Sequence, residues 1–239
     1  MKVLKNFESS NFYKKSKRSI KFFAGLEPKI KIKRNYDVMV VGDWGFLKDK
    51  INKNSVVYSF GVGDDVDFDL AIQNFSGCKV FCFDPTIDGS IFTSEKRNKK
   101  LEFYPWAIAD SDGEVTLYER LKSDGMASGM FTVDRNSSVS GNSINVPAFT
   151  LRSIMKKLGH TKIDLIKLDV EGAEFAVLES MLGNGLLPEQ ILVEFHHRFK
   201  DFSVKDVKRI LRKLEGLRYD VAYVTPTGRE VTFVRVIEQ

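Results

Sequence analysis

Apolar runs of strand length alternate with segments of helical periodicity from residue 55 onward. Five runs have strand character, namely SVVYSFG (55–61), KVFCFD (79–84), LEFYPWAI (101–108), IDLIKLD (163–169) and QILVEFH (190–196). Helical patterns cover residues 65–76, 87–98, 149–158, 172–183 and 203–215. This alternation is typical of βαβ units, so it predicts an α/β fold with a mainly parallel sheet and helices on both faces.

Both ends of this pattern carry further strand signals. The segment YDVMVVGDW (36–44) predicts a short strand that enters a glycine turn. The segment YDVAYVTPTGREVTFVRV (219–236) contains two strand-like runs around TPTGRE, which predicts an antiparallel hairpin at one edge of the sheet. Gly159 and Gly183 each close a helical pattern, so both are predicted left-handed helix caps.

Residues 110–145 interrupt the alternation. A short strand pattern at their start is followed by a stretch rich in Gly, Ser, Asn and Asp, which predicts a long loop or a hairpin insertion. A loop of this length is either a functional lid or a disordered connection, and the sequence leaves both alternatives open.

The composition is that of one globular domain. The chain has 239 residues, of which 43% are hydrophobic and 29% charged. We expect a domain over residues 51–239 after a basic extension over residues 1–50.

No apolar run approaches the ~20 residues of a membrane span, and the N-terminus lacks the apolar core of a secretory signal, so we expect a cytoplasmic protein. Cys78 and Cys82 would share one strand face as reduced, packed thiols, because a zinc site would need a second pair.

Positive charge is concentrated at the start of the chain. Residues 1–35 carry eleven Lys or Arg against Glu8 and Glu27, a balance of +9, so the overall +5 leaves −4 for the rest. Such an arm could contact an acidic partner, a nucleic acid or a membrane surface. A solvated extension around an amphipathic helix is the favoured interpretation, because no aromatic stacking platform accompanies the charge.

Polar residues and glycines follow the predicted strands. In an open α/β sheet, ligands bind beyond the carboxyl ends of the strands, near the point where the strand order reverses. The candidate site residues are therefore Gly61, Val62, Gly63 and Asp64; Asp84 and Pro85; Ala107 and Ile108; Asp169, Glu171 and Gly172; and Glu194, His196 and His197.

The turn after the first strand does not match a phosphate cradle. Gly61 and Gly63 tolerate positive φ and the close approach of a ligand, but the dinucleotide-binding pattern needs a third glycine where Val66 stands. The acids Asp64 and Asp65 also oppose a pyrophosphate at the start of the following helix. An NAD-type dehydrogenase is therefore disfavoured.

A nucleoside cofactor without a pyrophosphate meets neither objection. Asp84 follows Gly61 by 23 positions, close to the ~20-residue spacing at which an acid binds ribose hydroxyls. The amino group and sulfonium of S-adenosylmethionine are cationic, so acids near the glycine turn favour it. A non-catalytic binding module with the same fold is the remaining alternative.

The segment IDLIKLDVEGAEFAVLE (163–179) places two carboxylates at a strand exit. Asp169 and Glu171 would repel each other unless a cation lies between them, so they could orient the cofactor, bind a metal or accept a proton. In ILVEFHHRF, strand alternation would put Glu194 and His196 on one face and His197 on the other. His196 is the preferred proton acceptor, because imidazole titrates near neutral pH.

These residues resemble the FkbM family of S-adenosylmethionine-dependent methyltransferases. The resemblance rests on IDLIKLDVEGAEFAVLE and QILVEFHHR, preceded by VFCFDPT and YPWAIADSDGEVTLY, and covers roughly residues 55–200. It implies a Rossmann-like class I methyltransferase fold, S-adenosylmethionine as methyl donor, and an acceptor hydroxyl on a sugar or a glycosylated metabolite. It assigns Gly61 and Gly63 to the glycine-rich turn, Asp84 to the ribose, Ala107 and Ile108 to the adenine, and residues 169–172 to the signature. Ser59 stands where the common family form has an Asp, so Asp64 or Asp65 would hold the cofactor's amino group.

The chemistry expected is direct displacement at the methyl carbon, with a base that accepts the hydroxyl proton. Asp169 or His196 would be the base, and Glu194 would orient the imidazole. A divalent ion held by Asp169, Glu194 and His196 is possible, although the metal-free site is favoured. Residues 121–145 would cover a small-molecule or carbohydrate acceptor, and a homo-oligomer is possible.

Overall fold

The structure is a computed structural model that describes residues 25–87 and 101–236, together with Arg18, Phe22 and Gly89. The strands are β1 (Val38–Val41), β2 (Trp44–Leu47), β3 (Val56–Phe60), β4 (Lys79–Phe83), β5 (Leu101–Tyr104), β6 (Ala107–Ile108), β7 (Gly113–Leu121), β8 (Ala127–Thr132), β9 (Val139–Phe149), β10 (Leu165–Leu168), β11 (Gln190–Glu194), β12 (Tyr219–Val224) and β13 (Glu230–Arg235). The α-helices are α1 (Asp67–Ser76), α2 (Leu151–Leu158), α3 (Glu174–Gly183) and α4 (Val204–Gly216). Most of the helical pattern predicted over residues 87–98 lies outside the described residues.

A seven-stranded mixed sheet forms the centre of the molecule, with the strand order β12-β13-β11-β10-β3-β4-β5. Strands β11, β10, β3, β4 and β5 pair in parallel, and β13 pairs antiparallel with both β11 and β12. The predicted α/β fold is therefore confirmed. The strand order reverses between β3 and β10, since the chain runs outward from β3 to β5 and then returns to β10 on the other side.

Helices cover both faces of this sheet. Phe68 and Ile72 of α1 pack in one apolar cluster, which also contains Val57, Val80 and Leu165. Helices α2, α3 and α4 contribute to the larger cluster on the opposite face, through residues such as Ile154, Leu178 and Ile210. Cys78 and Cys82 are buried in the first cluster and form no disulfide with each other, as predicted.

The insertion is a second sheet and not a long loop. Strands β7, β8 and β9 pair antiparallel, and β6 pairs with β9 to complete the order β6-β9-β7-β8. The loop prediction was wrong because these strands are held by backbone pairing, which Gly and Ser residues also allow. Much of this sheet is solvent-exposed, so its sequence needs few apolar side chains. The hairpin alternative was correct for β7 and β8. The run LEFYPWAI is divided at Pro105, and its two halves, β5 and β6, belong to different sheets.

Strands β1 and β2 form a separate antiparallel hairpin around Gly42, which has φ +60°. The hairpin is fixed to the central sheet by polar contacts. The Gln190 side chain accepts a hydrogen bond from Leu47 N at 2.7 Å and donates one to Leu47 O at 3.3 Å, and Thr232 Oγ1 donates to Gly45 O. The division of the chain at residue 50 stays a prediction.

Local signals define most helix ends. The Thr150 side chain caps α2, and Ser203 with Asp206 forms a capping box at the start of α4. Gly159 is the predicted left-handed cap of α2, with φ +72°. The prediction for Gly183 was wrong, because Gly183 is the last residue of α3 and Gly185 has the positive φ. No helix in the described part of the chain is long and apolar enough to span a membrane.

Gly61 is required where β3 meets β10. It has φ +72°, and a Cβ at this position would lie 1.7 Å from Asp169 O. Its N–H donates to Phe83 O at 2.9 Å, while Asp169 N donates to Phe60 O at 3.1 Å. The ends of three neighbouring strands are thus held together by backbone contacts that leave no room for a side chain.

Gly61→Ala should therefore lower the free energy of unfolding by at least ~2 kcal/mol, because positive φ alone costs a non-glycine residue roughly 1–2 kcal/mol and the methyl group would meet Asp169 O. Gly63→Ala is the matched control, since Gly63 has φ +53° but no atom within 4 Å of the added Cβ. We expect a loss of about 1 kcal/mol there. Urea unfolding measures both, and equal losses would contradict the close contact.

Candidate functional site

A cavity of about 900 Å³ opens at the carboxyl ends of β3, β4 and β10. Its position at the reversal of strand order is where ligands bind in open α/β sheets. The structure places around it all eleven residues predicted to bind the cofactor: Gly61, Val62, Gly63, Asp64, Asp84, Pro85, Ala107, Ile108, Asp169, Glu171 and Gly172. Glu194, His196 and His197 are not among its lining residues.

Asp84 fixes the glycine turn. Its Oδ2 accepts a hydrogen bond from Gly63 N at 2.9 Å, and its Oδ1 accepts from Thr86 N at 2.8 Å and from Thr86 Oγ1 at 2.6 Å. A carboxylate has about four acceptor positions, so one remains at Oδ2. Asp84 therefore has both a structural role and a free acceptor position at the cavity.

The second sheet forms the opposite wall of the cavity. Its lining side chains carry no charge, and include Val115, Leu117, Met130, Phe131 and Val133. Two contacts hold this sheet against the signature turn. Arg120 Nη1 lies 2.8 Å from Glu171 Oε2, and Thr132 Oγ1 donates to Glu171 O at 2.6 Å. Part of the segment 121–145, predicted to cover the acceptor, thus lies beside the cavity as strands.

Asp169 presents a carboxylate to the cavity, with 27% of its side chain exposed. Its partner is the buried Lys167, whose Nζ lies 4.0 Å from Asp169 Oδ2. The same ammonium lies 4.6 Å from the centre of the Trp44 ring. Lys167 is only 4% exposed, so a buried cation stands directly behind the acid.

Glu171 has a strained backbone, with φ +45° at a non-glycine residue. Such conformations cost of order 1–3 kcal/mol and occur at functional sites, where the surrounding structure holds them. Burial raises the pKa of Glu171, although the charges of His196 and Arg120 oppose that shift. The carboxylate therefore depends on its basic neighbours to remain ionised.

His196 lies in the centre of a group of acids, two residues past the end of β11. Its Nε2 is 3.5 Å from Glu171 Oε2 and 3.7 Å from Glu194 Oε1, and its Nδ1 is 3.5 Å from Glu174 Oε1. Burial alone would lower the pKa of His196, but these three carboxylates raise it to about 9. The imidazole is therefore a cation at neutral pH.

Glu174 is a functional residue that the sequence interpretation missed. It is fully buried, and its carboxylate accepts Gly172 N at 2.9 Å and His196 N at 2.7 Å. It thus joins the turn after β10 to the segment after β11. The available signal was a charged residue in the first turn of an otherwise apolar helix, because a buried carboxylate needs donors close by.

The acids and bases of this cluster are paired. Asp169, Glu171 and His196 have ligand atoms within 4.8 Å of one another, so Glu171 replaces Glu194 in the trio that was predicted for a metal. Glu194 instead forms an ion pair with Arg229 Nη1 at 2.8 Å, and burial raises its pKa. Because each acid already faces a basic group, the metal-free arrangement stays favoured.

His197 points away from this cluster. Its Nε2 lies 3.4 Å from Oε2 of the buried Glu27, which also pairs with Arg198. Lys33 and Arg34 pair with Glu215 and Asp220. Part of the basic N-terminal segment is therefore packed against the body of the protein.

Glu174→Gln should lower the pKa of His196 towards its ordinary value of 6.5, because the nearest carboxylate charge is removed. In the wild-type protein the pKa of His196 is higher in the folded state than in the unfolded state. Protonated His196 therefore stabilises the fold fully below pH 6.5, and this stabilisation is lost as the pH rises through about 9. Titration of the imidazole by NMR measures the shift. Glu179→Gln on the exposed side of the same helix is the control, and an unchanged His196 titration in Glu174→Gln would contradict the assignment.

The chain is similar to known methyltransferases over most of its length. The methyltransferase FkbM domain family matches residues 46–221. The "probable methyltransferase-like protein 24" of Homo sapiens is 29% identical over 156 residues, and that of Rattus norvegicus is 28% identical over 155. Each match covers 64% of this chain, which spans about a third (36%) of those relatives' length. A crystal structure of a methyltransferase FkbM from Methylobacillus flagellatus is similar to this chain with 12% sequence identity and a TM-score of 0.47. The match covers 77% of this chain and 44% of the crystallised chain. Since the family match extends over most of the sequence and includes the glycine turn, Asp84 and the Asp169–Gly172 signature, the chain belongs to the FkbM methyltransferase family.

Proposed function

We propose that this protein is an S-adenosylmethionine-dependent O-methyltransferase with a Rossmann-like class I architecture. The observation that carries the proposal is the single cavity that joins the glycine turn, Asp84 and Asp169 at the switch point of the sheet. The five parallel strands around that point and the antiparallel β12-β13 pair at one edge support the architecture.

The residues present fit the proposed cofactor. The cavity volume of about 900 Å³ lies within the range of small-ligand sites, which is ~300–1,000 Å³. Asp84 retains an acceptor position for a ribose hydroxyl, and Asp64 stands exposed beside the glycine turn for a cationic amino group. Ala107 and Ile108 supply apolar surface next to Trp106 for an adenine. S-Adenosylmethionine would supply a methyl group activated by its sulfonium charge.

Asp169 is the base in this proposal. Its carboxylate faces the cavity, and an acceptor hydroxyl within hydrogen-bonding distance would give its proton to an Asp169 oxygen. Lys167 attracts this carboxylate from behind, whereas Glu171 is fixed to Arg120, so Asp169 is the one of these two acids whose carboxylate can accept a proton. His196 is a poor proton acceptor because it is already protonated at neutral pH. His196 and Glu194 therefore become positioning residues.

The charges around the cavity argue against the alternatives. A dinucleotide would place its pyrophosphate next to Asp64 and Asp65, without a lysine or arginine among the described lining residues. A purely structural module would not require the strained backbone of Glu171 at the wall of an open cavity. The proposed acceptor remains a hydroxyl of a sugar or a glycosylated metabolite. Two further expectations stay predictions, namely a homo-oligomer and an acidic partner for the N-terminal arm.

Isothermal titration calorimetry should show S-adenosylmethionine binding at micromolar concentration. Asp84→Ala should weaken it about tenfold or more, because the variant loses a charged acceptor and releases Gly63. Asp49→Ala, which removes an acid outside the cavity, should leave the affinity unchanged. Absence of binding to the wild-type protein at high micromolar ligand would refute the proposed cofactor.

Asp169→Asn should lower turnover ~100-fold or more, because the amide cannot accept the hydroxyl proton. His196→Gln should have the smaller effect. Methyl-labelled S-adenosylmethionine and a panel of monosaccharides and glycosides, with mass spectrometry of the products, provide the measurement. If His196→Gln abolishes methyl transfer while Asp169→Asn retains it, the base is His196.

A further inference from the structure

We propose that the cavity selects its acceptor by charge: it admits neutral or cationic molecules with an apolar face, and it excludes molecules of net negative charge, such as phosphorylated or nucleotide-activated ones. This inference rests on the proposed function, since it describes the second substrate of the same site. It concerns a property of the whole cavity wall, and not the role of any single acid in binding the cofactor.

Every ionisable side chain among the described residues that line the cavity is an acid. The six acids are Asp64, Asp65, Asp84, Asp110, Asp169 and Glu171, and the lining contains no Lys, Arg or His. Sites for phosphates or carboxylates are built from the opposite elements, namely guanidinium groups, ammonium groups or free helix N-termini.

The acids at the mouth of the cavity are not neutralised. Asp64, Asp65 and Asp110 are exposed, and none has an ion-pair partner within the described part of the chain. Deeper in the cavity, Arg120 pairs with Glu171 and Lys167 lies behind Asp169. An entering anion would therefore meet three uncompensated carboxylates before any cation, and a low-dielectric wall strengthens that repulsion.

The helix that starts beside the glycine turn does not provide an anion site. Asp67 and Asp69 occupy the first turn of α1, and the Asp67 N–H already donates to Asp65 Oδ1 at 3.0 Å. The positive end of the helix dipole is thus compensated by the protein's own acids. A phosphate placed there would face negative charge on the side from which it would need donors.

The wall opposite the acids is apolar. Val115, Leu117, Phe131 and Val133 of the second sheet, together with Phe202, line it. Arg120 and Lys167 already face Glu171 and Asp169, and the single net positive charge of a bound S-adenosylmethionine is too little to neutralise the other four carboxylates. The remaining space therefore favours a hydroxyl on an uncharged or positively charged molecule that lays an apolar face against this sheet.

Trp106 lines the cavity and allows the charge selection to be measured without knowledge of the acceptor. The chain has two tryptophans, so Trp44→Phe leaves Trp106 as the sole emitter. Lys157→Gln removes the ammonium that lies 5.9 Å from the Trp106 ring on its other side. In this double variant of the full chain, collisional quenching by caesium, iodide and acrylamide at low ionic strength samples cations, anions and neutral molecules in turn.

Each quenching constant is divided by the constant of the same quencher on free tryptophan. We expect the normalised constant of caesium to exceed that of iodide by at least about threefold. Replacing Asp64, Asp65 and Asp110 together by Asn should bring the ratio close to one. The matched control replaces Asp43, Asp49 and Asp124 by Asn, which changes the net charge equally outside the cavity, and it should keep the ratio. A wild-type ratio of one or below, or an equal fall in the control, would overturn the proposal.

Calorimetry with adenosine and adenosine 5′-monophosphate tests the same selection with matched ligands. We expect adenosine to bind at least about tenfold more tightly, and equal affinities would overturn the charge selection. Titration of S-adenosylmethionine into the same preparation tests the proposed function separately. If S-adenosylmethionine does not bind in that titration, the proposed cofactor is refuted. The quenching ratio then still decides whether the cavity excludes anions.

Discussion

The close approach of Asp169 to Gly61 is the contact on which the site depends. Because residue 61 has no side chain, the carbonyl of Asp169 occupies the space where a Cβ would stand. The ends of β3 and β10 are thereby held side by side at the point where the strand order reverses. The glycine turn and the signature acids face one cavity for this reason, although more than a hundred residues separate them. The glycine serves the packing of the protein itself before it serves any ligand.

Two further ties complete the arrangement. Buried Glu174 accepts backbone N–H groups from Gly172 and His196, so the turn after β10 and the segment after β11 move as one unit. Arg120 and Thr132 connect the second sheet to Glu171. The strained backbone at Glu171 is therefore held from two sides, by the first residue of the following helix and by the inserted sheet. Each tie uses a charged or hydroxyl group whose loss would leave a buried partner without a hydrogen bond.

Electrostatics divides the acids of the site into two groups. Glu171, Glu174 and Glu194 face the basic groups of His196, Arg120 and Arg229, which hold them in place. Asp64, Asp65 and Asp110 at the mouth of the cavity have no ion-pair partner in the described part of the chain. The difference explains why a histidine suited by type to proton transfer is instead a fixed cation, and it is the reason for which we propose Asp169 as the proton acceptor.

The sequence by itself determined the strand and helix order, the strand-end positions of the site and the family, because these follow from periodicity, spacing and a short motif. The eleven residues proposed for the cofactor came from the strand ends and the family resemblance, and all of them line one cavity. Only the tertiary structure decided what surrounds each side chain. It made strands of residues 113–149, whose composition indicates loops, because pairing partners lie far apart in the chain. It also set the burial of Lys167 and Glu174 and the charge of His196, since burial and neighbouring charge arise from contacts between distant segments.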